Sequence, residues 1–437
     1  MSQYKAYPAY KDSGVEWIGQ VPKHWEATKV GFLSQKIGSG KTPSGGASVY
    51  TSSGIVFLRS QNIYDDGIRL TNVAYIPPEI DQEMAGTRVH PWDVLLNITG
   101  ASIGRSAIAP GEFQPANVNQ HVCIVRLPNS NVAKWVHASF CGMSVKTQIN
   151  VLQSGAAREG LNFEQVGNIR IASPPGDEAQ IILEEIENQT ARIDALIEKK
   201  TRFIDLLKEK RQALITNAVT KGLDPNVKMK DSGVEWIGQV PVHWEVKPFF
   251  ALVAELNRKN TGLVETNILS LSYGCIIQKP ETRNMGLMPE SYETYQIVEP
   301  GEIVFRFTDL QNDKRSLRSA QVTQRGIITS AYMAVKPHSI DSTYFTWMMR
   351  SYDHCKVFYA MGGGLRQSLK FEDVRRLPVL IPPAEEQRDI TSAINEGTAR
   401  IDSLIEKTEH SVNLLKERRA AFITAAVTGQ IDLRGEQ

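Results

Sequence analysis

Sixteen residues of this 437-residue chain are written twice. Lys11–Glu26 reads KDSGVEWIGQVPKHWE and Lys230–Glu245 reads KDSGVEWIGQVPVHWE, with Lys23 against Val242 as the one difference. A second pair follows, where ARIDALIEKKTRFIDLLKEKRQALITNAVT from Ala191 matches ARIDSLIEKTEHSVNLLKERRAAFITAAVT from Ala399. Between these repeats the two halves differ almost everywhere. An ancestral unit was copied within the chain, and two similar frames now carry dissimilar contents. The front repeats lie 219 residues apart and the helical repeats 208, so the first variable region is 11 residues longer.

Helix signals bracket the second repeat in both copies. PPGDEAQ from Pro174 and PPAEEQ from Pro382 place prolines just upstream and acids at the positive end of a helix. Gly222 and Gly429 follow the last turn, where a left-handed cap is expected. Ile186, Ile193, Leu207 and Leu214 form one heptad column, with Leu196, Ile197, Phe203, Ile204 and Ala218 as the adjacent stripe. The copy repeats both, with Ile394, Ile401, Leu415 and Phe422 as the column and Leu404, Ile405, Val412 and Ala426 as the stripe. An apolar period near 3.5 sustained over several heptads predicts helices that pair with each other. At ~40 residues each would run about 60 Å. Two equivalent helices in one chain pair most simply about an internal two-fold axis, antiparallel. The globular regions would then sit at opposite ends of a rigid spacer.

The expected fold class is therefore α+β, two mixed α/β domains joined by two long helices in an antiparallel coiled coil with internal pseudo-two-fold symmetry. The divisions read as 1–176, a central helix 177–222, 223–383, and a distal helix and tail 384–437. Strand-like runs fall at Gly54–Leu58, Val94–Ile98 and His121–Leu127, and in the second copy at Ile268–Leu271, Ile303–Phe307 and Tyr332–Val335.

Composition narrows the partners. A hydrophobic content of 41% is ample for sizeable cores. Cys123, Cys141, Cys275 and Cys355 are scattered without a C-x-x-C pair, which argues against a zinc module and a disulfide framework. The opening MSQYKAYPAYKDSG lacks an apolar signal core, and no run reaches a membrane span, so a soluble cytoplasmic protein without a membrane partner is expected. Net charge is only +1, but the two variable regions carry +3 and +2 while the helical parts carry −1 and −3. A duplex binder needs a local basic surface rather than a basic total.

Isolated motifs do not add up to catalysis. Gly38-Ser39-Gly40-Lys41-Thr42 looks like a phosphate loop, yet Gln35 stands where the pattern requires glycine. Ser173-Pro174-Pro175-Gly176 looks like the polar-Pro-Pro-aromatic motif of amino-methyltransferases, but Gly176 cannot stack on a flipped base, and Ile381-Pro382-Pro383-Ala384 lacks the polar residue too. No H-x-x-x-H pair, G-x-S-x-G elbow or G-x-G-x-x-G fingerprint is present. His24, His243, Trp17, Trp25, Trp236 and Trp244 belong to the duplicated frame and are expected to be architectural.

Together the K-D-S-G-V-E-W-I-G-x-V-P-x-H-W-E openings, the P-P-x-(D/E)-E starts and the A-R-I-D-x-L-I-E-K helices resemble the DNA specificity subunit of a type I restriction-modification system, over essentially the whole chain. The resemblance implies two target recognition domains on an antiparallel coiled coil, each reading half of a split, asymmetric site in double-stranded DNA. It implies a non-catalytic chain bound to two methyltransferase (modification) subunits, with two restriction (motor-nuclease) subunits in the full assembly. S-adenosylmethionine, ATP and magnesium would sit on those partners, with no cofactor and no metal in this chain. Two other readings stand beside it: a coiled-coil adaptor whose globular ends bind proteins, and a specificity chain of another restriction-modification type. A stand-alone adenine methyltransferase is disfavoured by the broken SPPG and IPPA motifs.

Loops rich in DNA-reading side chains supply the candidate contacts. In the first region these are Lys41, Thr42, Ser44, Arg59, Gln61, Asn62, Ser102, Arg105, Asn119, Gln120 and Arg158. The second offers Arg306, Asp309, Gln311, Lys314, Arg315, Arg318, Thr329, Ser330 and Arg366. Arg suits guanine, Asn or Gln suits adenine, and Ser or Thr suits phosphate or base. Arg158 and Arg366 fall at matching places (GAAR, GGLR), which fits a shared phosphate contact.

Overall fold

In the computed structural model each long helix begins at the residue after a proline pair, Gly176–Lys221 after Pro175 and Ala384–Val427 after Pro383. Proline has no N–H to give a helix upstream of itself, so the pair marks the boundary. Asp177 and Glu178 in one helix, and Glu385 and Glu386 in the other, occupy the first turn. Gly222 and Gly429 follow the helices with φ of 75° and 69°, the left-handed cap that glycine adopts without strain. The structure describes residues 4–153, 160–279, 291–310, 316–361 and 368–435.

The chain divides into two compact units, Met1–Lys200 with His410–Gln437, and Thr201–Glu409. That division crosses the long helices in their middles. In the first unit the start of the first helix packs on the end of the second, with Ile182, Ile186, Phe422, Ile423 and Ala426 in one core. In the second unit the end of the first helix packs on the start of the second, through Ile215, Ala218, Val219, Ile390 and Ile394. Both pairings are antiparallel, and one ion pair occurs twice: Asp194–Arg419 at 2.9 Å in the first unit, and its equivalent Asp402–Arg211 at 2.8 Å in the second.

The apolar seam follows the expected columns and part of the adjacent stripes. Ile186, Ile193, Ile204, Leu207 and Ala218 are buried, as are Ile394, Ile401, Val412, Phe422 and Ala426, whereas Leu196, Phe203 and Leu404 are exposed. Each exposed residue precedes a seam residue by one position, and a step of about 100° carries it off the contact face.

The variable regions share a framework that their sequences conceal. The first unit holds a four-stranded antiparallel sheet in the order Lys36–Ser39, Val122–Arg126, Val94–Asn97, Ser106–Ile108. The second holds Val253–Glu255, Met333–Pro337, Ile303–Phe305, Ser319–Gln321 in the same order and sense. A two-stranded ribbon ties each opening to the strand before each long helix, Glu26–Lys29 with Arg170–Ser173 and Glu245–Pro248 with Pro378–Ile381. Ile55–Leu58 lies in a separate sheet of the first unit, parallel to Ala116–Val118 and antiparallel to Ala74–Ile76.

The P-x-H-W-E element joins opening to helix in both units. Glu178, 7% exposed, accepts hydrogen bonds from Trp25 Nε1 (3.0 Å) and Tyr7 Oη (2.8 Å) and bonds His24 Nε2 (2.7 Å). Glu386 receives Trp244 Nε1 (3.0 Å) and His243 Nε2 (2.8 Å) in the same way. Trp25 and Trp244 are wholly buried, Trp17 is half-buried against the first core, and Trp236 is exposed with its ring edge-on to Tyr352 at 4.6 Å. The helix-capping glycines close on the same elements. A Cβ on Gly429 would lie 2.3 Å from Pro22 Cδ, and one on Gly222 would lie 3.0 Å from Glu386 Oε1.

Candidate nucleic-acid interface

In the first unit, loops at one end of the four-stranded sheet converge through buried amides. Asn97, fully buried, donates from Nδ2 to the Ser60 carbonyl (2.8 Å) and to Ser102 Oγ (3.0 Å), which joins the loop after Leu58 to the loop before Ser106. The Asn119 N–H donates to the Leu58 carbonyl at 3.0 Å, bringing the loop before Val122 to the same place. Thr99 Oγ1 bonds His121 Nδ1 at 2.6 Å, and Gln120 Nε2 bonds His121 Nε2 at 2.9 Å. The Gly38–Ser44 loop joins them because a Cβ on Gly40 would stand 1.8 Å from the Val118 carbonyl oxygen. Only glycine allows that approach. Lys41, Thr42, Ser44, Gln61, Arg105 and Gln120 stand exposed on this cluster, while Arg59 and Ser102 are half-buried. Arg59 Nη2 donates to the Asn72 carbonyl at 3.3 Å, with its guanidinium 5.7 Å from the Tyr50 ring centre.

The second unit gathers its loops at the equivalent sheet end. Phe305 pairs with Met333, so the chain leaves one strand toward Arg306 where it enters the other from Tyr332. Arg306 and Thr329 are half-buried there, and Asp309 and Ser330 are exposed. Arg318 braces the turn beneath, donating from Nη1 to the Thr308 carbonyl (3.0 Å), from Nη2 to the Asp309 carbonyl (3.4 Å) and from Nε to Tyr359 Oη (3.2 Å). Asp309 holds a left-handed φ of 59°. The Arg318 N–H meets the Asp353 carboxylate, whose pKa burial pushes up to about 6 against the pull of that N–H and of Arg350.

Three of the sequence candidates are buried, with their polar groups bonded within the unit. Asn62 is 1% exposed, with Oδ1 accepting the Arg59 N–H (3.0 Å) and Nδ2 donating to the Arg69 carbonyl (2.9 Å). Asn119 is buried, its Oδ1 accepting the His121 N–H at 3.2 Å. Arg318 is fully buried, and its donors serve the backbone carbonyls just described. Their amide and guanidinium groups compete equally well for backbone partners, so residue type alone could not separate the two roles. Arg158, Gln311, Lys314, Arg315 and Arg366 lie outside the described residues. Sequence reasoning passed over Tyr50 and Tyr64, which carry arginines on their rings, and the brace Asn97. No local signal marks Tyr50 or Asn97, whose partners come from other loops, and the Tyr64–Arg69 contact within one short hairpin was passed over.

The curated relatives are alike in name. Over 431 residues the chain is 22% identical to the type I restriction enzyme MjaX specificity subunit of Methanocaldococcus jannaschii, covering 95% of this chain and 96% of that one. Over 437 residues it is 20% identical to the type I restriction enzyme EcoKI specificity subunit of Escherichia coli, covering 94% and 90%. The chain is a relative of the type I restriction specificity subunits. The fold agrees end to end: a solved chain from a study of complex assembly and conformational transition in the type I R-M system superposes with a TM-score of 0.66 at 12% identity, covering 94% of this chain and 99% of that one. No protein-family model matches. Among the described residues, no helix is long and apolar enough to cross a membrane. Over 94% of its length the chain shares its fold with that solved chain.

Proposed function

We propose that this chain is the DNA-specificity subunit of a type I restriction-modification assembly, each unit reading one half of a split, asymmetric duplex site. One observation carries the reading. The same end of the same sheet gathers polar loops in both units, while the residues on those loops differ almost completely. Like frames with unlike surfaces are what two unlike half-sites require. The contacts we assign are Lys41, Thr42, Ser44, Arg59, Gln61, Ser102, Arg105 and Gln120 in the first unit, and Arg306, Asp309, Thr329 and Ser330 in the second. Arg158, Gln311, Lys314, Arg315 and Arg366 complete the set on sequence grounds. Base edges in the major groove would be read by the Arg and Gln side chains, and phosphates held by Lys, Ser and Thr.

On this reading the chain selects and its partners catalyse. Two modification subunits would bring S-adenosylmethionine and methylate adenine, and two restriction subunits would bring ATP and magnesium and cut DNA. The exposed charged faces of the long helices offer the dock for them. Methylation-sensitive sequencing of host DNA with and without this chain tests the proposal. A split motif that vanishes with the chain is expected. Methylation unchanged by deletion, or a continuous motif, would count against it, and duplex binding insensitive to salt would favour the adaptor reading.

A further inference from the structure

Within the first unit, one aromatic ring carries two arginines. Tyr64 closes the short strand Ile63–Tyr64, and the guanidinium carbons of Arg69 and Arg105 lie 3.9 and 5.1 Å from its ring centre. Both arginines are exposed. Arg69 pairs with Asp66 at 3.0 Å, whereas the Arg105 guanidinium has no hydrogen bond or ion pair to any described residue. Arg69 is paired with Asp66 and the neighbouring Asp65 with Lys146, so the second arginine on the ring leaves the group with a net positive charge at its surface.

The backbone beneath is held from several sides. Asn62 brackets Arg69, accepting its N–H on the main-chain carbonyl (2.9 Å) and donating from Nδ2 to its carbonyl (2.9 Å). The Ser106 N–H donates to Asp65 Oδ1 at 2.9 Å, and Lys146 Nζ holds that carboxylate at 2.9 Å. The Asn97 N–H donates to the Arg105 carbonyl at 2.8 Å. The Ser106–Asp65 bond ties the hairpin carrying the ring to the strand that follows Arg105. A phosphate contact asks only for positive charge, which a mobile lysine supplies. Bidentate recognition asks for a guanidinium with its donors unspent, and Arg105, beside a braced ring, is such a group.

Resting on the recognition reading above, we propose that Tyr64 is the positioning residue of a guanine reader. Arg105 donates two N–H groups to O6 and N7 of one guanine in the first unit's half-site, and Arg69, partly neutralised by Asp66, lies against a flanking phosphate. The test measures affinity of the full chain for a duplex bearing its methylated motif and for the three alternatives at each base pair, at fixed salt. Arg105→Ala, Arg105→Lys, Tyr64→Leu and Tyr64→Phe are compared, each checked for an unchanged thermal midpoint.

The parent should prefer guanine at one pair of one half-site by roughly ten- to hundredfold. Arg105→Ala and Arg105→Lys should both erase that preference and leave the other half-site intact. Tyr64→Leu should weaken it severalfold, while Tyr64→Phe, which keeps the ring, should preserve it. A preference surviving Arg105→Ala, an equal loss on matched and scrambled duplexes, indistinguishable Tyr64 variants, or a loss of partner assembly with base preference intact would each overturn the inference. A parent chain without salt-dependent duplex binding would instead overturn the recognition reading itself.

Discussion

One carboxylate at the head of each long helix explains why histidine and tryptophan persist in both copies of P-x-H-W-E. Glu178 accepts from Trp25 and Tyr7 and bonds His24, and Glu386 serves Trp244 and His243. In sequence the acids are legible only as complements to the helix dipole; the indole and imidazole partners lie more than a hundred residues away, beyond any local pattern. Removing an acceptor from buried donors costs about 1–3 kcal/mol per group left unpaired. Glu178→Ala should therefore lower stability by about 3 kcal/mol. Glu386→Ala, with two donors and a more exposed carboxylate, should cost about half as much. Calorimetric scans of both variants check the ranking, and equal midpoints would contradict the burial argument.

At the scale of elements, helix bounds were legible, and so were the helix faces except at the margin of the stripe. Proline pairs and capping glycines act within a few residues, so the bounds follow from local backbone chemistry. The heptad columns marked the contact face, but how wide the stripe is depends on which turn meets a partner, and Leu196, Phe203 and Leu404 stand outside the seam. The glycines after the helices also carry a tertiary load. Gly233 has φ 74° with nothing within 4 Å of where a methyl would sit, whereas Gly429 has φ 69° with Pro22 Cδ 2.3 Å from the same point. Gly233→Ala should cost about 1 kcal/mol for the left-handed backbone alone. Gly429→Ala adds a steric conflict and should cost about 3 kcal/mol. Denaturation midpoints of the two variants measure the difference, and matching losses would mean that the close approach carries no energy.

For the molecule as a whole, the two units repeat one sheet order on sequences that no longer resemble each other. Hydrophobic alternation and strand pairing tolerate wide substitution as long as core volume and pattern hold, while loops at the sheet end are free to diverge. On the proposed reading, recognition on such a frame is modular. Exchanging residues 27–173 for the matching segment of a relative should change one half of the methylated motif and leave the other half unaltered, as read by methylation sequencing of host DNA. A change in both halves would show that the units do not read independently.

Duplication, helix ends and the division of labour between constant frame and variable loops were determined by the sequence itself, because each is written in adjacent residues or in a repeat. Tertiary structure decided which amides and guanidiniums face inward. Asn62, Asn119 and Arg318 are the same residue types as the exposed candidates, and what separates them is the set of backbone groups that neighbouring loops bring within hydrogen-bonding reach. It also decided that Arg105 joins Arg69 on Tyr64, since a contact between distant segments depends on how the strands pair and leaves no trace in local spacing.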